Sequence, residues 1–219
     1  ILENTVQMQY DKRNGVTFPL ALRTMLRLDP DVIFVGEIRD LETARISAEA
    51  ALTGHLVLTT LYTDNAPSAA HRLISIGMEP HIVAATFIGA IAQRLARKIC
   101  DACKREVPAG KFDDTMLDYL RGLAAEGNYD PPVDAVFYEG AGCEKCRGKG
   151  FRGRIAIYEV LEINEAMNGA LMGGATPEEF EKLALQFGMR TMFADGVRNA
   201  VEGNTTIDEV LRVTYTSFG

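Results

Sequence analysis

No stretch of this chain is apolar for long enough to cross a bilayer. The longest such run, residues 82–92, falls short of the roughly 20 residues a spanning helix needs. Basic residues are in short supply as well. Lys and Arg total 23 against 30 Asp and Glu, for a net charge of −7, which argues against the basic footprint of a nucleic-acid binder. Cysteine is scarce, with four in 219 residues. That is sparse for a secreted scaffold held by disulfides. Internal repeats and low-complexity linkers are absent. Methionine is missing from the first position, so the chain is expected to be a fragment, and the lack of a targeting signal says nothing about its parent. What the chain does hold is 47% apolar residues, enough for one core domain with one or two small ones.

The four cysteines fall in two pairs, Cys100-Asp101-Ala102-Cys103 and Cys143-Glu144-Lys145-Cys146. Each C-x-x-C knuckle can aim two thiolates at one ion, and two knuckles complete a tetrahedral four-thiolate shell. Structural Zn²⁺ is the expected occupant, although iron suits the same ligands. The 39 residues between the pairs, 104–142, exceed what a simple ribbon needs and are expected to carry structure of their own. A thioredoxin-like redox pair is disfavoured, because neither knuckle opens a helix after a strand. Cations crowd both knuckles: Arg94, Arg97, Lys98, Lys104 and Arg105 at the first, Lys145, Arg147, Lys149, Arg152 and Arg154 at the second. They compensate the formal −2 of a four-thiolate zinc centre, or they form a docking face for an anionic partner or membrane surface.

Val32-Ile33-Phe34-Val35 is a short β-branched run that reads as a parallel strand covered on both faces. Glu37 follows it, at the strand's carboxyl end, where a doubly wound sheet places its chemistry. It is a candidate to hold Mg²⁺ through water or to polarise an attacking water; its bland alternative is a helix cap. Asp40 is the better cap, ahead of an amphipathic helix over 41–52 that stops at Gly54. A second strand is expected over 55–61, then helices over 67–76 and 82–98. Strand alternating with helix argues an α/β sheet with parallel strands. Further helices are expected over 114–125, from the capping box at Thr176 to Gly188, over 191–202, and from the capping box at Thr206 toward Val213.

The run Leu26-Arg27-Leu28-Asp29-Pro30-Asp31-Val32-Ile33 through Gly36-Glu37-Ile38-Arg39-Asp40, with Thr53-Gly54-His55-Leu56-Val57 and Thr60-Leu61, resembles the secretion ATPase superfamily. So do the cysteine block into Gly150-Phe151-Arg152-Gly153-Arg154-Ile155-Ala156-Ile157-Tyr158-Glu159, and the tail from Gly188 to Val210. These are the hexameric motors of type II secretion and type IV pilus assembly. The resemblance implies a RecA-like P-loop ATPase core over 1–98, a tetracysteine zinc-binding module over 99–155 and a small carboxyl-terminal helical subdomain over 156–219. Two knuckles place the chain with assembly and secretion motors rather than retraction motors.

Carried over, Glu37 is the Walker B glutamate, His55 belongs to the His box that senses the γ-phosphate, and Glu3 is the first acid of the Asp box. Gly36, Arg39, Arg94 and Arg97 are the implied nucleotide contacts, the last two across a subunit interface. ATP, Mg²⁺ and Zn²⁺ are the implied cofactors. The implied partners are a homo-hexamer and an inner-membrane platform protein with its assembly complex, together with peripheral contact to an anionic membrane on the cytoplasmic side and no nucleic acid. The chain departs from the pattern where Asn4 and Gln7 replace carboxylates, which loses their charge, and where Tyr62 stands for the second His-box histidine. Nothing matches G-x-x-x-x-G-K-[ST], the loop whose backbone N–H groups and lysine hold the β- and γ-phosphates. As it stands, the chain is expected not to turn over ATP. Three readings follow: a motor ATPase domain, a non-hydrolysing adaptor on the same fold, and a zinc-ribbon nucleic-acid binder that the acidic balance disfavours.

Overall fold

The computed structural model describes residues 5–8, 15–108 and 111–214. Glu3 and Asn4 lie outside the described residues. The chain divides into two compact units, one of residues 1–63, 68–88 and 163–177, the other of 64–67, 89–162 and 178–219.

The first unit is built on two parallel strands, β1 (Val32–Val35) and β2 (Leu56–Thr59), paired in register from Val32↔Leu56 to Val35↔Thr59. Helices α1 (Phe18–Leu26), α2 (Leu41–Leu52), α3 (Ser68–Ile76), α4 (Pro80–Thr86) and α6 (Glu165–Met172) complete it. Local chemistry sets the ends of α2. Asp40 Oδ1 accepts from Thr43 N–H at 2.9 Å, and Gly54 leaves in the left-handed region at φ +100°, which suits a residue without Cβ. One face of the strand pair buries Ile33 and Val35; the other leaves Val32, Phe34, Leu56 and Leu58 largely exposed. The expectation of cover on both faces is therefore corrected: among the described residues the sheet is covered on one side.

The second unit rests on an antiparallel ribbon of β3 (Gly89–Ile99) and β6 (Phe151–Glu162). This overturns the helix expected over 82–98. That stretch holds α4, which ends at Thr86, and then an 11-residue strand. Its Ala, Leu, Gln and Arg favour a helix locally, but strand propensity yields to cross-strand context. Pairing runs from Gly89↔Glu162 to Ile99↔Phe151, and Gly89 lies so close to Leu161 that a Cβ would come within 2.6 Å of its carbonyl oxygen. The residues between the knuckles hold β4 (Lys104–Glu106), α5 (Asp114–Glu126) and β5 (Tyr138–Gly140). Helices α7 (Pro177–Gln186), α8 (Met192–Val201) and α9 (Ile207–Thr214) follow. Ala96 and Ile157 of the ribbon pack on Met192 and Val213, while Leu120 and Ala124 of α5 pack on Val197, Ala200 and Val210.

Three acids among the described residues of this unit are buried, Glu159, Asp195 and Glu209. Glu159 accepts from the backbone N–H groups of Ala66 at 2.7 Å and Met192 at 3.2 Å; burial pushes its carboxyl upward despite those donors. Glu209 is 1% exposed and binds the guanidinium groups of Arg97 and Arg212. Burial opposes its ionisation, but the hydrogen bonds from Arg212 and Arg97 outweigh burial and hold its carboxyl well below the usual range.

Glu209→Gln removes the counter-charge of two guanidiniums and turns one of their two acceptor oxygens into a donor, so it is expected to lower unfolding stability by about 2–3 kcal/mol at neutral pH. Because the folded value is depressed, this contribution is present above the unfolded carboxylate value of 4.5 and fades as pH falls below it. Urea unfolding of both proteins at pH 7 and pH 3.5 measures the gap, which should shrink at the lower pH.

Candidate functional site

The strand β1 ends at Val35, and four residues, Gly36 to Arg39, separate it from the Asp40 cap of α2. Within that turn two ties to Thr60 hold the backbone. Ile38 N–H donates to Thr60 O at 3.1 Å, and Thr60 Oγ1 donates to Gly36 O at 2.6 Å. Ile38 is buried, and Glu37 beside it stands half-buried at the carboxyl end of the strand pair. Its Oε2 lies 2.8 Å from Arg39 Nε. The Arg39 guanidinium sits 5.7 Å from the centroid of the Tyr62 ring. Hydrogen bonding to Glu37, and then to Tyr62, raises the Arg39 pKa above its ordinary value. A Cβ at Gly36 would meet nothing within 4 Å, so the strand end is open.

The structure does not bring His55 to this cluster. Leu56 N–H donates to Asp31 O at 3.0 Å, which sets His55 level with Asp31 and six positions from Glu37, about 20 Å along the strand direction. Its Nδ1 is 2.9 Å from Ala50 O and 3.2 Å from Thr53 Oγ1. A carbonyl only accepts, so Nδ1 carries the proton and closes the last turn of α2. The residue at Glu37's end of β2 is Tyr62. Sequence reasoning marked Tyr62 as a departure but missed its contact, which follows from parallel strands ending together.

Arg94 and Arg97 belong to the other unit. Arg94 is exposed on β3 opposite Ile157. Arg97 is committed inside its own unit: its backbone N–H and guanidinium both bind Glu209, and its guanidinium stacks 4.2 Å from the Phe151 ring centroid. The buried acids Glu159 and Glu209 carried no periodicity or motif in the sequence that separates them from surface acids.

The ribbon brings the two knuckles together. As β3 ends, Cys100 N–H donates to Gly150 O at 2.9 Å, and Ala141 N–H donates to Cys103 O at 2.9 Å. Cys143 to Cys146 turn through a short 3-10 segment that exits at Arg147 in the left-handed region, φ 53°. Gly140 and Gly150 sit back to back, where a Cβ on Gly140 would fall 2.0 Å from Gly150 O. All four sulfurs lie within 4.8 Å of one another. Cys100–Cys143 is 3.9 Å, with Cys103–Cys146 and Cys143–Cys146 at 3.8 Å.

Four sulfurs at about 2.3 Å from one ion at tetrahedral angles lie about 3.8 Å apart, whereas a disulfide needs about 2.05 Å. The donor set therefore fits Zn²⁺. Backbone N–H groups of Cys143 and Gly150 point at Cys146 Sγ, 3.1 and 3.2 Å away, and pull that thiol down to about 6. Burial pushes the Cys103 thiol up to about 12. A divalent cation is what holds four such crowded groups deprotonated together.

The profile of the family described as type II/IV secretion system protein matches residues 1–212. The type IV pilus assembly ATPase PilB of Thermus thermophilus is 45% identical over 205 residues, covering 94% of this chain and 22% of the relative. The type II secretion system protein E of Pseudomonas aeruginosa is 39% identical over 213 residues, covering 97% and 40%. The chain thus spans between about a fifth and two fifths of the length of these curated relatives. Among solved structures, the pilus retraction motor PilT with bound ADP superposes at a TM-score of 0.58 and 26% identity, over 90% of this chain and 43% of that one.

Metal analysis of the purified protein is expected to find one zinc per chain, and Cys146→Ser should remove it. Because bound zinc stabilises the fold that binds it, that variant, or wild type after chelation, should melt about 10 °C lower. Gly140→Ala should lose zinc without touching a ligand, because its Cβ drives the two knuckle backbones apart.

Proposed function

The chain belongs to the type II/IV secretion system protein family, and on that premise we propose that it forms part of the ATP-hydrolysing domain of a hexameric motor that assembles pilin or pseudopilin subunits. The observation that carries this reading is Glu37, held at the carboxyl end of a parallel strand pair by both of Thr60's ties. Bound ATP with Mg²⁺ supplies the phosphoanhydride bond that breaks. Glu37 accepts a hydrogen bond from the attacking water, or from a water on the ion, and orients it. Gly36 leaves the backbone open to a phosphate, and Glu3 keeps the Asp-box role that resemblance gives it. The Arg94 side chain makes no hydrogen bond or ion pair among the described residues, which leaves its guanidinium able to serve a neighbouring subunit. Arg97 is withdrawn from that role by Glu209.

The zinc module stabilises the second unit. Lys145, Arg147, Lys149, Arg152 and Arg154 are exposed, with no side-chain ion pair among the described residues. They supply a face for peripheral contact with an anionic membrane, on the inner side of the cytoplasmic membrane. No described helix is long and apolar enough to cross it. An inner-membrane platform protein would receive the motor's motion.

Tyr62, where the family has histidine, favours a second reading: a non-hydrolysing assembly module. ATP turnover by the full-length protein separates the two. In the motor reading wild type hydrolyses ATP and Glu37→Gln lowers the rate by about a hundredfold or more. A folded, zinc-loaded wild type without turnover would select the assembly module.

A further inference from the structure

Three side chains meet where β1 and β2 end. Glu37 Oε2 lies 2.8 Å from Arg39 Nε, with the two side chains 34% and 64% exposed. Tyr62, 72% exposed, holds its ring 5.7 Å from the same guanidinium. The position is the carboxyl end of a pair of parallel strands, the end at which open α/β sheets bind their ligands. Both contacts are water-exposed and weak: an ion pair and a cation–π contact of this kind each bias an equilibrium by roughly fivefold or less. The ion pair engages Nε toward a single carboxylate oxygen. A phosphate can take two parallel N–H groups of one guanidinium, which is the stronger arrangement.

We propose that Arg39 is a phosphate-responsive positioning residue, parked between Glu37 and Tyr62 until the terminal phosphate of a nucleoside triphosphate draws its guanidinium away. The exchange frees the Glu37 carboxylate for water or hydrated Mg²⁺ at the moment a triphosphate arrives, and a diphosphate cannot trigger it. Tyr62 is then the resting partner of Arg39. This inference rests on the reading of the strand end as a nucleotide site.

Equilibrium binding of ADP and of the non-hydrolysable triphosphate adenosine 5′-(β,γ-imido)triphosphate to the full-length protein tests it. Arg39 and Tyr62 are exposed enough for substitutions to fold. Arg39→Gln should weaken the triphosphate analogue by on the order of ten- to a hundredfold while ADP changes less than about twofold. Arg39→Lys should recover only part of the loss, because an ammonium cannot bind phosphate through a fork. Tyr62→Ala should tighten the triphosphate analogue by roughly two- to fivefold and leave ADP unchanged. Equal losses for both nucleotides with Arg39→Gln, or no change for either, would overturn the proposal, as would weaker triphosphate binding with Tyr62→Ala. Turnover reports separately on Glu37: Arg39 discrimination together with an active Glu37→Gln enzyme would retain the phosphate response and remove only the assignment of the acid.

Discussion

Ten residue pairings between β3 and β6 are the constraint on which the second unit depends. They override the helical preference of residues 89–99, and they give the ribbon an inner face on which α8 and α9 lay Met192 and Val213. Their far end carries Cys100 to the Gly150 backbone, so two knuckles separated by most of the inter-knuckle module arrive at one point with tetrahedral sulfur spacing. Slipping the register by one residue would turn Ile157 outward and part the knuckles. The four-cysteine cluster is thus a consequence of strand pairing as much as of cysteine spacing.

Two arginine–carboxylate clusters show how burial sorts similar chemistry into different work. Glu209 is nearly free of solvent and bound by two guanidiniums and a backbone N–H. A charge so placed cannot be released without leaving it unpaired in a poor solvent for ions, so the cluster is structural. Glu37 has one guanidinium, in water, shared with an aromatic face. Little is lost when that contact opens, which is the property a site must have if its acid is to act on something else.

Local chemistry made much of the fold legible. Asp40 and Thr206 cap α2 and α9 as read; Gly54 and Gly188, read as the stops of α2 and α7, take positive φ; and the β-branched run at 32–35 is a parallel strand. Each depends on atoms within a few residues. The helix expected over 82–98 failed because its alternative, a strand, is stabilised by partners some sixty residues away that no local pattern reveals. Cover on both faces of β1 was inferred from composition, which reports hydrophobicity and not what lies opposite.

The site divides along the same line. By itself the sequence determined the ligand types and spacing of the four-cysteine cluster, the acid that follows β1, the helix caps and the membership of the type II/IV secretion system protein family, because these are properties of short segments. Tertiary structure alone decided that His55 stands at the far end of the strand from Glu37, that Arg97 answers to Glu209, and that Tyr62 meets Arg39. The reason is geometric: parallel register and side-chain direction settle which residues share a strand end, and neither is written in the order of the residues.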